Sequence, residues 1–249
     1  MARRASIKCG CNYGRRMFIR GLIALTLTAI ITQKIPLTWG KGGSKHPLLK
    51  AKFLRSIELK GDGLNEAIKR MVRSKDVNNI VNPDQLDLNK AIAVKHIIEF
   101  SNEENTLLAI GTLTNGSEAI IYYELEKPIE WLKTEAAILK YLNDKIVVYG
   151  KSINGRLINL TLSNSCPPDE CTFPDIGCGP GETCQEVCCE YDYNCLVRCV
   201  LGGVCPSCVA ACLRGDILYC IAFAIVFCPI CLLSCCTDSY WTCVYYGGP

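Results

Sequence analysis

The spacing of apolar and polar positions changes character along the chain. Over residues 64–72 the apolar positions are Leu64, Ala67, Ile68, Met71 and Val72, which share one helical face and predict an amphipathic helix. From residue 91 the pattern turns to runs of β-branched and apolar residues. Residues 91–100 and 106–114 predict two strands joined by the polar loop Ser101-Asn102-Glu103-Glu104-Asn105. Asn115-Gly116 predicts a tight turn into a third strand over 119–125, because Asn-Gly tolerates the positive φ values that short hairpins require. Residues 130–142 follow Pro128 and place Trp131, Glu135 or Ala136, Ile138, Leu139 and Leu142 near helical spacing, which predicts a helix. Residues 146–149 and 157–162 flank Asn154-Gly155 and predict another hairpin. Residues 45–165 thus read as a cysteine-free α+β domain with an antiparallel sheet.

The last third has a different pattern. Residues 217–227 form an apolar run long enough for a buried helix, broken only by Cys220 and followed by Pro229. Around it, Cys205, Cys208, Cys212 and Cys220 recur 23 positions later as Cys228, Cys231, Cys235 and Cys243, and Pro206 recurs as Pro229. The first three cysteines of each unit stand at i, i+3 and i+7, one face of a helix that begins at the proline. Cys184 with Cys188, and Cys195 with Cys199, repeat a four-residue step and predict a further helix pair. The C-terminal part is therefore expected to be a small, disulfide-rich, all-α bundle over 166–249. Residues 217–237 carry no charge over a span that could cross a bilayer, yet five cysteines and Pro229 interrupt it. A buried helix pair under bridges accounts for it better.

Cysteine usage sharpens this picture. Of 19 cysteines in 249 residues, 17 fall after position 165: Cys166, Cys171, Cys178, Cys184, Cys188, Cys189, Cys195, Cys199, Cys205, Cys208, Cys212, Cys220, Cys228, Cys231, Cys235, Cys236 and Cys243. Such density marks a disulfide scaffold in an oxidising compartment or a metal store. Residues four apart on one helix point side by side, so bridges should join neighbouring helices rather than one helix to itself. The odd count leaves one thiol free, paired between molecules or removed by processing. Cys205-x-x-Cys208 and Cys228-x-x-Cys231 fit zinc-ribbon spacing, but their helical context and the further cysteines in each row favour disulfides over bound metal.

The net charge of +3 hides an asymmetry. Residues 166–249 hold two bases against nine acids, hence −7, and the remainder is +10. Residues 45–75 hold nine bases and three acids; a solvated helix face accounts for them better than a nucleic-acid footprint. His46, in a linker, and His96, in a predicted strand, have no catalytic neighbours in sequence, and no glycine-rich phosphate loop occurs. The chain is read as non-enzymatic, with no cofactor, no metal and no nucleic-acid partner.

Residues 1–44 contain eight bases and no acid, and a basic opening precedes the uncharged stretch 21–31, too short to span a bilayer. Arg15, Arg16, Phe18, Ile19 and Arg20 resemble a twin-arginine export signal, with Gly14 where serine or threonine is commoner. Export by that route would involve the twin-arginine machinery and carry the chain out of the cell already folded. The whole order of segments, with the Cys-x-x-Cys and Cys-x-x-x-Cys rows from Cys184 to Cys236, resembles precursors of the cysteine-rich microhalocins, archaeal antimicrobial peptides of the C-eight type. That resemblance implies an export leader and linker over 1–44, an immunity or chaperone propiece over 45–165 and a released antimicrobial peptide within 166–249. The peptide would act on a target-cell membrane or envelope protein. Its acidity sets aside attraction to anionic lipid, so apolar helices or a protein receptor would supply affinity.

Overall fold

Three two-residue turns with positive φ at both central positions fold much of the chain into a meander. They are Ser101-Asn102 (51° and 65°), Asn143-Asp144 (49° and 64°) and Asn154-Gly155 (51° and 76°), the backbone twist that suits short hairpins. The computed structural model describes residues 46–115, 118–158, 166–173, 175–200 and 217–245. Its strands are β1 (Lys52–Glu58), β2 (Leu86–Phe100), β3 (Glu103–Thr114), β4 (Ala119–Ile129), β5 (Leu132–Leu142), β6 (Lys145–Ile153), β7 (Arg156–Ile158), β8 (Glu182–Asp192) and β9 (Cys236–Tyr245). They form one antiparallel sheet in the order β1-β2-β3-β4-β5-β6-β8-β9. The short β7 lies beside β8 on the same edge of β6, pairing with Lys151 to Ile153 while β8 pairs with Lys145 to Val147.

Both faces of the central strands are covered. One face presents Ala93, Leu108, Ile110, Ile120, Tyr122, Ala136 and Ile138 to helices α1 (Asp62–Arg73) and α2 (Lys75–Ile80), which contribute Ala67, Met71 and Val77. Asp76 anchors α2. Its buried carboxylate accepts from Thr134 Oγ1 at 2.5 Å, Ser152 Oγ at 2.6 Å and the Gly155 amide at 2.7 Å. The opposite face presents Val94, Ile98, Leu107, Ala109, Ile121, Tyr123, Ala137 and Leu139 to α4 (Ile217–Phe227) and its neighbours.

Two sequence expectations are corrected. Residues 130–142 do not form a helix; they turn at Glu130, at a φ of 51°, and become β5. Between two covered faces a strand loses its polar alternation, and residues Glu135 to Leu139 of this one are buried without interruption. The C-terminal part is not all-α either. The chain around Cys184 and Cys188 is strand β8, and Cys236 opens strand β9, so both extend the sheet begun upstream. Helices do occur there: α3 (Tyr193–Cys199), α4, and α5 (Pro229–Leu233), with Pro229 in its first turn. The bundle expected at Pro206, with Cys205, Cys208 and Cys212, lies outside the described residues, as do residues 116–117 of the Asn115-Gly116 turn.

Among the described residues six disulfides join the C-terminal part to itself: Cys166–Cys189, Cys171–Cys184, Cys178–Cys243, Cys188–Cys236, Cys195–Cys235 and Cys199–Cys231. Cys220 is disulfide-bonded as well. The last two of the six both start from α3: Cys199–Cys231 ties it to α5, and Cys195–Cys235 ties it to the turn that follows α5. Bridges in these numbers belong to an oxidising environment. Among the described residues no helix is long and apolar enough to cross a membrane.

Candidate functional site

Helix α4 is apolar on every side, a composition that water tolerates poorly and that calls for burial all round. The cysteine-free part of the sheet supplies much of that burial. Cys220, Ile221, Ala222, Ala224, Ile225 and Val226 are all buried, and the helix lies over β2, β3 and β4. Gly111 of β3 stands directly against the helix. A Cβ there would sit 2.7 Å from Val226 Cγ2 and 3.0 Å from the carbonyl oxygen of Ala222. Only a residue without a side chain lets helix backbone and strand backbone come this close.

The last turn of any helix leaves carbonyls without intrahelical donors, and burial makes each of them costly. Two side chains of the sheet meet this need. His96 Nε2 donates to the Val226 carbonyl at 2.7 Å, and Tyr123 donates its hydroxyl to the Ile225 carbonyl at 3.4 Å. Ser56 on β1 donates to His96 Nδ1 at 2.8 Å, which fixes the neutral tautomer with its proton on Nε2. Burial lowers the pKa of His96 to about 4, although the Val226 carbonyl favours the protonated ring. Phe53 meets the imidazole edge-on at 5.2 Å. Burial likewise pushes the Tyr123 phenol well above its ordinary range, keeping it a donor.

A second polar group shares this face. Glu135 of β5 accepts from His46 Nε2 at 2.8 Å through one oxygen and from Lys151 Nζ of β6 at 2.8 Å through the other. All three residues are buried. Burial alone would raise the Glu135 pKa, but Lys151 and His46 outweigh it and hold the carboxylate at about 2. Burial opposes the charge on Lys151 in the same way, and Glu135 prevails, so that its pKa is raised. The His46 ring also receives the Leu48 amide at Nδ1 and stands edge-on to Trp131. The cluster thus ties the segment before β1 to the middle of the sheet.

Where β6 and β7 meet β8, Lys145 pairs with Glu190 at 2.9 Å and Arg156 with Glu182, both joining the basic upstream part to the acidic C-terminal part. The basic helix α1 packs on the opposite face from α4, so its charge lies away from this contact.

The sequence-predicted residues fall as follows. Twelve of the candidate cysteines form the six bridges; Cys220 and Cys228 lie buried on and just after α4. Cys205, Cys208 and Cys212 lie outside the described residues, together with Arg15, Arg16, Phe18, Ile19 and Arg20. His46 belongs to the buried cluster rather than to a linker, and His96 is part of the cradle. Sequence reasoning missed Gly111, Tyr123, Glu135 and Lys151. The alternation Val94, His96, Ile98 is the one local signal that puts a polar side chain on the covered face.

The arrangement holds a helix: a glycine opening, two donors aimed at helix carbonyls and apolar walls. No family model, no curated protein and no solved structure matches the chain.

Proposed function

We propose that the chain is the precursor of a secreted, disulfide-stapled antimicrobial peptide of the bacteriocin or halocin kind, and that its cysteine-free part is the immunity or chaperone partner of that peptide. One observation carries this reading. The most apolar element of the cysteine-rich part, α4, is held by His96, Gly111 and Tyr123 of the cysteine-free part, while all six described bridges stay within residues 166–243. A peptide whose killing surface is apolar endangers the cell that makes it. Seating that surface on a partner encoded in the same chain keeps it silent, since linkage raises the effective concentration to the order of millimolar.

The test uses the full oxidised chain with a specific protease site placed within residues 159–165. After cutting, the two pieces should stay associated in native buffer and separate in denaturant without reductant. The refolded C-terminal piece should inhibit related cells, and added N-terminal piece should relieve the inhibition. An inert C-terminal piece with the six bridges intact, or inhibition that the N-terminal piece leaves untouched, overturns the reading. Export by the twin-arginine route belongs to the same proposal. Changing Arg15 and Arg16 together to lysine, which keeps the charge but loses the planar guanidinium, should hold the precursor inside the cell.

A further inference from the structure

Two bridges lie apart from the cradle, at the end of the β8–β9 pair. Cys184 and Cys243 stand directly opposite each other in register on β8 and β9. They bond instead to Cys171 and Cys178, both from the loop that precedes β8. The two bridges crowd together: the sulfurs of Cys171, Cys178 and Cys243 all lie within 4.8 Å of one another, and that of Cys184 is bonded to Cys171. Cys171, Cys184 and Cys243 are buried, and with Cys178 and Trp241 they form a small apolar cluster of their own.

The loop is held against the strands by contacts that owe nothing to sulfur. Asp175 accepts from the Cys184 amide at 2.7 Å and the Thr183 hydroxyl at 2.8 Å. The Trp241 amide donates to Asp169 at 2.7 Å, and the Glu170 amide donates to the Trp241 carbonyl at 2.7 Å. These bonds hold the loop that carries Cys171 and Cys178 against the strands that carry Cys184 and Cys243. Two ligands from a loop and two from adjacent strands is a layout suited to tetrahedral zinc, whose bonds of about 2.3 Å to sulfur set the sulfurs about 3.8 Å apart.

We propose that the reduced chain binds one zinc ion through Cys171, Cys178, Cys184 and Cys243, and that oxidation of the same four residues to two disulfides expels it. Reduction by a phosphine proceeds bridge by bridge. Each disulfide takes two electrons and two protons, and the phosphine becomes its oxide with an oxygen atom from water. Zinc then displaces four protons from the four thiols. In the reverse direction a disulfide oxidant takes four electrons from the four thiolates, two S–S bonds form and the metal leaves. In a chain with 17 clustered cysteines, a metal that withholds four of them until oxidation removes them from the pool of wrong pairings and keeps the loop docked.

The experiment uses the full chain, reduced with a phosphine and freed of metal, then titrated with zinc or with cobalt as its coloured substitute. Uptake of about one equivalent with the spectrum of a tetrahedral tetrathiolate site is expected. Thiol alkylation mapped by mass spectrometry should show Cys171, Cys178, Cys184 and Cys243 shielded by that equivalent, with Cys195, Cys199, Cys231 and Cys235 still reactive. Replacing the first four with serine should abolish the uptake, and replacing the second four should leave it. Shielding that is absent, spread evenly or centred on other cysteines overturns the proposal, and the map on the unaltered chain decides the matter if a variant fails to fold.

Discussion

The Nε2–H of His96 donates to the carbonyl of Val226 at 2.7 Å, across 130 positions of chain. It is the shortest of the cradle's polar contacts with α4, and it joins a cysteine-free strand to the cysteine-rich part. Replacing His96 with phenylalanine keeps a ring in the space but removes the donor to Val226 and the acceptor for Ser56. Leaving such groups buried and unmet costs about 1–3 kcal/mol each. Urea unfolding of the oxidised chain should show a lower midpoint by that order, with Ser56→Ala costing less. An unchanged midpoint in His96→Phe would mean that the histidine does not hold the helix.

Acid should loosen the same contact. The unfolded chain binds a proton at His96 near pH 6.5, whereas burial delays binding in the folded chain to about 4. Between those values the unfolded state carries more protons, so the contribution is full above pH 6.5 and is lost as pH falls through 4. It is worth on the order of 3 kcal/mol at its fullest. Glu135, held at about 2 against an ordinary 4.5, adds a second contribution that is present above pH 4.5 and lost as pH falls through about 2. Unfolding midpoints measured from pH 7 to pH 2 should decline across both ranges, and His96→Phe should flatten the upper range alone. A flat profile between pH 6.5 and 4 in the unaltered chain would refute the assignment.

Gly111 offers a steric test. An added methyl would press on Val226 Cγ2 and on the Ala222 carbonyl, so Gly111→Ala should destabilise by about 1–3 kcal/mol through overpacking. Val226→Ala removes one of the two obstacles. The double variant should therefore be more stable than the sum of the single changes implies, a coupling that a double-mutant cycle measures directly. Strict additivity would indicate that helix and strand do not meet at this point.

The buried Glu135, Lys151 and His46 cluster makes a fourth prediction. Lys151→Met leaves the carboxylate buried with half its compensation, and should cost about 3–5 kcal/mol in unfolding free energy. Adding Glu135→Gln removes the stranded charge. The double variant should recover part of that loss, and failure to recover any would show that Lys151 acts through packing alone.

Much of the framework was legible because its signals are local. The helix over 62–73 follows from one apolar face, and the hairpin at Asn154-Gly155 follows from residues that accept positive φ; the polar stretch 101–105 marks a hairpin too, but its turn is only Ser101-Asn102, and Glu103 to Asn105 already belong to β3. The run of 217–227 forms a helix because little else suits an unbroken apolar segment of that length. Two misreadings share a cause in periodicity. A step of four residues returns to the same side of a helix and also of a strand, so Cys184 and Cys188 could not distinguish the two. In β5 the sequence Glu135 to Leu139 is covered on both faces, and no alternation survives to reveal a strand. The cradle was less legible still. Glu135 finds Lys151 on β6 and His46 ahead of β1, and nothing in its immediate neighbours announces either partner.

β6 divides its outer edge between two strands: β7 takes Lys151 to Ile153, and β8 takes Lys145 to Val147. If the C-terminal peptide departs, β8 departs with it, and the main-chain donors and acceptors of residues 145–147 are left facing water. A bare strand edge is a template for another strand. The partner left behind would therefore carry an open slot, readily refilled by the same peptide and otherwise prone to join edge to edge with a second copy of itself.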